Sequence, residues 1–180
     1  MIVNSFEIEG VKLISPEIHK DNRGYFFESY KLSIYNQYLG KEVIFIQDNE
    51  AKSSKGVLRG LHFQIPPYEQ AKLIRVIQGS ILDVAVDLRK NSPTYGKHIS
   101  VELDDKNKKQ LFIPKGFAHG YIVLSKDATI AYKVDNEYRP DMESGIIFND
   151  AKLNIDWKLP SCEILVSDKD INLPPFKENY

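Results

Sequence analysis

The chain predicts a mainly β fold, a sandwich or barrel, on three observations. Short segments rich in Val, Ile, Phe and Tyr recur along it, turn-forming residues punctuate them regularly, and a single stretch spaces its apolar residues at a helical period. Strands alternating with helices would point to βα units, which is not the rhythm here. With 180 residues the chain has the length of one ordinary domain, read as residues 1–180, able to bury a core without staples.

Residues 11–14 and 25–30 are the first expected strands, separated by the turn Lys20-Asp21-Asn22-Arg23-Gly24. In 31–39, the spacing of Leu32, Ile34, Tyr35, Tyr38 and Leu39 predicts one short helix, closed by Gly40 as its C-cap. Strands are then expected at 43–47, 57–64, 72–78, 81–88, 98–103, 110–113, 120–124 and 129–134. Breaks such as Pro66-Pro67, Gly79-Ser80, Asn91-Ser92-Pro93 and Pro114-Lys115-Gly116 separate them. From Arg139 onward the pattern is irregular, with Trp157 and several prolines, and is expected to wrap the body in short helical turns.

Composition excludes several classes of function. A net charge of -1 with mixed signs gives no basic field for nucleic acid or a membrane surface, although local Arg and Lys can hold a small anion. The single cysteine, Cys162, cannot close an intramolecular disulfide and reads as a small structural thiol. Residues 1–9 carry neither a basic region nor an unbroken apolar run, and no segment approaches membrane-spanning length. The expected compartment is the cytoplasm.

The most informative stretch is Gly56-Val57-Leu58-Arg59-Gly60-Leu61-His62-Phe63-Gln64. Period-two alternation puts Val57, Arg59, Leu61 and Phe63 on one face and Leu58, Gly60, His62 and Gln64 on the other. A strand that only filled a core has little use for Arg59 and His62, because each buried polar group needs a partner. His62 also reads as a hydrogen-bonded core residue. In 81–88, Leu82, Val84, Val86 and Leu88 share one face, and Asp83, Ala85 and Asp87 the other, which is expected to look into a cavity. Arg23, Arg59, Lys72 and Arg75 lie at or near strand starts and suit a phosphate pocket if those strands converge. Solvated surface charge is the alternative, and it fits Arg59 and Lys72 least, since both alternate with apolar neighbours. His119 is delivered to a strand by the turn at 114–116, where Asp83 could orient it. Tyr132 reads as a core residue or a proton donor, and the run Ser167-Asp168-Lys169-Asp170 as a turn or helix cap.

Two patterns resemble the cupins, enzymes built on a double-stranded β-helix. These are Gly, five residues, His at 56–62 and Pro-x-Gly-x-x-His at 114–119. Metal-binding cupins place a second His where this chain has Gln64 and a Glu near the place of Lys72; an ammonium there repels a cation, which disfavours a metal-dependent oxygenase. With Gln70-Ala71-Lys72-Leu73, Asp83-Val84-Ala85-Val86-Asp87-Leu88-Arg89, Ser92-Pro93-Thr94 and 114–120 following in order, the chain from about 21 to 170 closely resembles the dTDP-4-dehydrorhamnose 3,5-epimerase family.

The resemblance implies a cupin-type jelly roll with a few short helices, a homodimer, no metal or other cofactor, and epimerisation of a nucleotide-linked 4-keto-6-deoxy sugar. It makes His62 the base, Asp170 the carboxylate that orients it, Tyr132 the opposing proton donor and Lys72 the stabiliser of charge on O4, with His119, held by Asp83, lining the same pocket. Arg23, Glu28, Gln47, Asn49, Arg59, Lys72, His119, Glu143 and Lys169 match positions that contact nucleotide, diphosphate or sugar, and Tyr138 matches an aromatic that stacks on the base. The same fold also carries epimerases of GDP-linked 4-keto heptoses and enzymes inverting C3 alone. A non-catalytic sugar-nucleotide binding module is the alternative from another class.

Overall fold

Branched and aromatic residues at alternate positions pair into two antiparallel sheets laid face to face, the jelly-roll arrangement expected. The computed structural model describes residues 1–39 and 43–178, so Gly40 and its capping role lie outside the described residues. In chain order the elements are β1 (Ile2–Ser5), β2 (Lys12–Ser15), β3 (His19–Asp21), β4 (Gly24–Phe26), α1 (Leu32–Leu39), β5 (Gln47–Ser54), β6 (Val57–Gln64), β7 (Lys72–Gln78), β8 (Ser80–Asp87), β9 (His98–Asp104), β10 (Gln110–Ile113), β11 (Phe117–Val123), β12 (Asp127–Val134), β13 (Glu143–Gly145), β14 (Leu165–Val166) and α2 (Asp168–Ile171). The first sheet runs β1-β2-β10-β7-β12-β5 and the second β13-β6-β11-β8-β9, with β14 parallel to β6. β3 and β4 form a separate hairpin.

Three apolar layers hold these sheets. Between them lie Ile74, Val76, Ile81, Ala85, Leu111, Tyr121 and Ile130 with their neighbours. Outside the second sheet, Leu58, Leu61, Leu82, Val84 and Val86 meet Ile146, Leu153 and Trp157 of the C-terminal wrap. α1 covers the outer face of the first sheet through Tyr35 and Leu39, which pack on Ile14, Leu73 and Phe112. The wrap includes the expected helical turns, at Pro140–Met142, Ser161–Glu163 and α2. Cys162 sits exposed in one of them, so it does not serve as packing.

The strand expected at 43–47 is displaced. Val43 packs beneath α1, and the strand is β5, whose Gln-Asp-Asn-Glu-Ala-Lys-Ser-Ser is polar because it forms the sheet edge and, among the described residues, pairs with β12 alone. Apolar periodicity cannot reveal a strand held by backbone pairing and facing water. β1, β3, β13 and β14 escaped for the same reason or through shortness, and 25–30 contributes only the end of β4.

The alternation expected in β6 also fails, with consequences for the site. His62 pairs with His119 and Arg59 with Tyr121, so residues 60 and 61 together oppose Gly120, a β-bulge. The extra residue reverses facing midway: Leu58 and Leu61 both pack into the outer layer, while Arg59 and His62 both line a cavity. Gly60 occupies the bulge with φ +124°, and a Cβ there would come 2.5 Å from Gly120 Cα and 2.7 Å from the His119 carbonyl oxygen. Gly60→Ala is therefore expected to cost about 3 kcal/mol of stability, read by denaturant unfolding; a change below about 0.5 kcal/mol would show that the backbone absorbs the contact.

Asp83 and Asp87, expected to face a cavity together, divide. Asp83 reaches His119, whereas the Asp87 carboxylate closes the following loop, accepting from the Arg89 backbone and guanidinium and from the Ser92 and Thr94 hydroxyls. Burial pushes Asp87 upward, but these donors prevail and hold it at about 2.

Candidate active site

Strand ends of both sheets frame the mouth of the barrel. A cavity of about 560 Å³ there is lined by Gln47, Asn49, His62, Lys72, Tyr132, Tyr138 and Glu143, among others. A second, of about 430 Å³, shares His62, Lys72 and Tyr132 and adds Arg59, His119, Lys169 and Asp170. The shared three thus stand where the two spaces meet, on β6, β7 and β12.

His62 Nε2 lies 2.7 Å from Asp170 Oδ1. The other oxygen of Asp170 accepts from the Gly60 N–H at 3.2 Å, so the bulge in β6 supplies this carboxylate with its second partner. Asp170 is only 3% exposed, held at the start of α2, where its N–H donates to Ser167 Oγ at 3.1 Å. An imidazole that donates Nε2–H to this carboxylate keeps Nδ1 as its basic nitrogen.

Next to this pair on the neighbouring strand, His119 lies 2.6 Å from Asp83 Oδ1, both buried. Burial lowers the His119 pKa, and Asp83 only partly opposes it. The ammonium of Lys72, packed deep in the mouth, is held down to about 8 by burial, against the pull of Asp83 and Glu143. Burial raises Tyr132, which Arg59 opposes, so its phenol keeps its proton at neutral pH. Arg59 itself donates to Ser53 Oγ at 3.2 Å.

At the outer end, Glu143 Oε2 accepts from the Tyr138 hydroxyl and from Lys169 Nζ, each at 2.6 Å. Burial works to raise Glu143, but these two donors lower it below the usual range. Tyr138 is half exposed over the cavity, and Gln47 donates to Asn49 at 2.8 Å on the opposite rim. The arrangement can hold an anionic ligand at its rim, and it can take a proton on one wall and give one from the other.

Of the residues singled out from sequence, Gln47, Asn49, Arg59, His62, Lys72, His119, Tyr132, Tyr138, Glu143, Lys169 and Asp170 line these two cavities, with Asp83 behind His119. Arg23 and Glu28 line neither; Arg23 pairs with Asp21 on the β3–β4 hairpin, and Glu28 lies 3.8 Å from Lys31. Arg75 lines a different hollow, with Gln110 and Lys133. The cavity also takes in Arg89 and Phe117, with the Arg89 guanidinium 4.7 Å from the Phe117 ring centroid; Phe117 lies inside the 114–119 pattern and Arg89 closes the 83–89 run, which was the available signal. Among the described residues no group of three or more His, Cys, Asp or Glu could hold a metal ion.

Comparison with known proteins agrees with this geometry. The family model described as dTDP-4-dehydrorhamnose 3,5-epimerase matches residues 5–178. The dTDP-4-dehydrorhamnose 3,5-epimerase of Shigella flexneri is 49% identical over 172 residues, 96% of this chain and 94% of that one. The crystal structure of the enzyme of that name from Elizabethkingia anophelis NUHP1 superposes with a TM-score of 0.95 at 45% identity, covering 100% of this chain and 99% of its own. A dTDP-6-deoxy-D-glucose-3,5-epimerase from Legionella pneumophila, solved in complex with dTDP-4-keto-L-rhamnose, gives 0.90 at 42%, covering 98% of each chain. A bulged strand that sets a histidine against a buried aspartate, inside a jelly roll matched from end to end, leaves one assignment: the chain belongs to the dTDP-4-dehydrorhamnose 3,5-epimerase family.

Proposed function

We propose that this chain inverts C3 and C5 of a nucleotide-linked 4-keto-6-deoxyhexose, converting dTDP-4-dehydro-6-deoxyglucose to dTDP-4-dehydrorhamnose, as one cupin-like epimerase domain that uses no cofactor. The observation that carries it is that the His62–Asp170 pair and Tyr132 reach one cavity from opposite sheets, with Lys72 at the same junction.

The C4 ketone acidifies the hydrogens on C3 and C5. His62 takes one of them, the electron pair moves onto O4, and the enolate forms beside the Lys72 ammonium. Tyr132 gives its phenolic proton to the other face of the same carbon, which restores the ketone with inverted configuration. Exchange with solvent returns the proton to Tyr132 and removes the one on His62, and the cycle repeats at the second carbon. Asp170 favours the tautomer that the first step needs. His119, oriented by Asp83, supplies a further polar contact to the sugar. Arg59 and Lys169 suit the diphosphate, Gln47 and Asn49 the rim of the nucleotide, and Tyr138, anchored by Glu143, the face of the base.

The working form is a homodimer, in which Arg23 and Glu28 serve a neighbouring subunit's nucleotide. What supports this is the hairpin that carries Arg23: it stands apart from both sheets and exposes Tyr25 and Phe26, and the nearby Leu32, Tyr38, Ile44 and Ile46 are exposed as well. An exposed unpaired thiol at Cys162 fits the reducing cytoplasm, and among the described residues no helix is long and apolar enough to cross a membrane.

Incubation in D2O with dTDP-4-keto-6-deoxyglucose, and separately with a GDP-linked 4-keto sugar, tests the reading. Deuterium is expected at both C3 and C5 of the dTDP sugar. Label at C3 alone would make the protein a mono-epimerase, label only in the GDP sugar would change the nucleotide, and none in either would leave a binding module.

A further inference from the structure

β6 ends in Gln64, where metal-binding cupins carry a second histidine, and here the residue has other work. The residue is 6% exposed, and both donors and the acceptor oxygen of its amide are engaged. Nε2 donates to the Tyr68 carbonyl at 2.6 Å and to the Glu137 carbonyl at 3.0 Å, while Oε1 accepts from the Arg139 N–H at 2.6 Å. Two carbonyls and one N–H leave a single consistent orientation of the amide. The partners lie on two separate loops, and on the second they flank Tyr138 on both sides. The same loops are joined again by Gln70, which donates to the Asn136 carbonyl at 2.8 Å, and by Arg139, whose guanidinium lies 4.8 Å from the Tyr68 ring centroid. Among the described residues the Tyr138 side chain has one hydrogen bond, to Glu143, and the residue is half exposed. A side chain with so little packing keeps its place only if its backbone is fixed.

We propose that Gln64 is a positioning residue that clasps the backbone on either side of Tyr138 and thereby sets the affinity for the base of a nucleotide ligand, with no part in proton transfer. The proposal rests on the reading of Tyr138 as the stacking residue. A fixed loop spares the ligand the entropy of ordering it, so the effect belongs in binding. Gln64→Glu keeps the shape and the acceptor but replaces both donors with a carboxylate oxygen that faces the two carbonyl oxygens.

In Gln64→Glu the Kd for dTDP and the KM are expected to rise about tenfold with kcat within about twofold. In a Tyr138→Ala background the same change adds nothing, since the group it positions is gone. A fall in kcat with Kd unchanged, or full additivity of the two substitutions, overturns the proposal. Amide exchange in the wild-type protein gives a reading that needs no variant: the Arg139 N–H is expected to be strongly protected, and exchange at the rate of an open loop overturns the clasp. The milder Gln64→Met should lose that protection without burying a charge. If Tyr138→Ala leaves the dTDP Kd unchanged while Arg139 is protected in the wild type, the stacking reading has failed, and the link from clasp to affinity falls with it.

Discussion

His62→Ala lowers kcat by about 10³ to 10⁴ for inversion at both carbons, while dTDP binds within about twofold of wild type. The expectation follows from how little else near the junction can accept a proton. Lys72 lines the same space as an ammonium through neutral pH, Tyr132 holds its proton, and His119 gives one ring nitrogen to Asp83. Nucleotide affinity is spared because the rim residues Tyr138, Glu143 and Lys169 form their own hydrogen-bonded group, which does not include His62. The variant also leaves Asp170 buried with only the Gly60 N–H as its remaining partner to the strand, so some loss of stability accompanies the loss of rate. Deuterium wash-in at C3 and C5 is the measurement, and turnover within tenfold of wild type would remove His62 from the mechanism.

Lys72→Met is the second large effect, a fall of about 10² to 10³ in kcat, the usual cost of one oxyanion donor. Its pH signature is more diagnostic than its size. With the ammonium held down to about 8, Lys72 is charged below that pH and neutral above it. The charge proposed to stabilise O4 is therefore present at neutral pH and lost as pH rises, so wild-type kcat/KM is expected to fall through about 8. Lys72→Arg, even if slower, carries a group that does not titrate in this range and moves the alkaline limb upward. Profiles of kcat/KM from about pH 6 to about pH 10 check this; a wild-type limb that stays in place in Lys72→Arg would assign it to another group.

Legibility from the sequence followed physical cause. Strands whose alternate side chains are sorted between different layers of the fold, such as β7, β8 and β12, wrote that sorting into their alternation and were found nearly to the residue. β5 was not, because an edge strand owes its place to backbone pairing with β12 rather than to burial. The facing of Arg59 and His62 was misread because a bulge leaves no mark in hydrophobicity; only Gly60 hinted at it. The residues of the junction were legible as types and spacings. That Asp170, more than a hundred positions away, stands 2.7 Å from His62 came from resemblance alone, since Ser167-Asp168-Lys169-Asp170 by itself reads as a helix cap, which it also is. Arg23 was legible as a cation, but not its distance from its own chain's cavity.

The second sheet is apolar on both faces, with the inner layer on one side and Trp157 and its neighbours on the other. In terms of local opening this divides the two walls of the mouth unequally. β8 and β11, every residue of β11 being buried, belong to the part of the molecule that opens only with the whole, and they brace the strand bearing His62. Tyr132 stands on β12, whose neighbour β5 gives its outer edge and most of its side chains to water, the setting in which backbone opens most cheaply. The wall proposed to take a proton is thus braced by buried strands, and the wall proposed to return one borders an exposed edge.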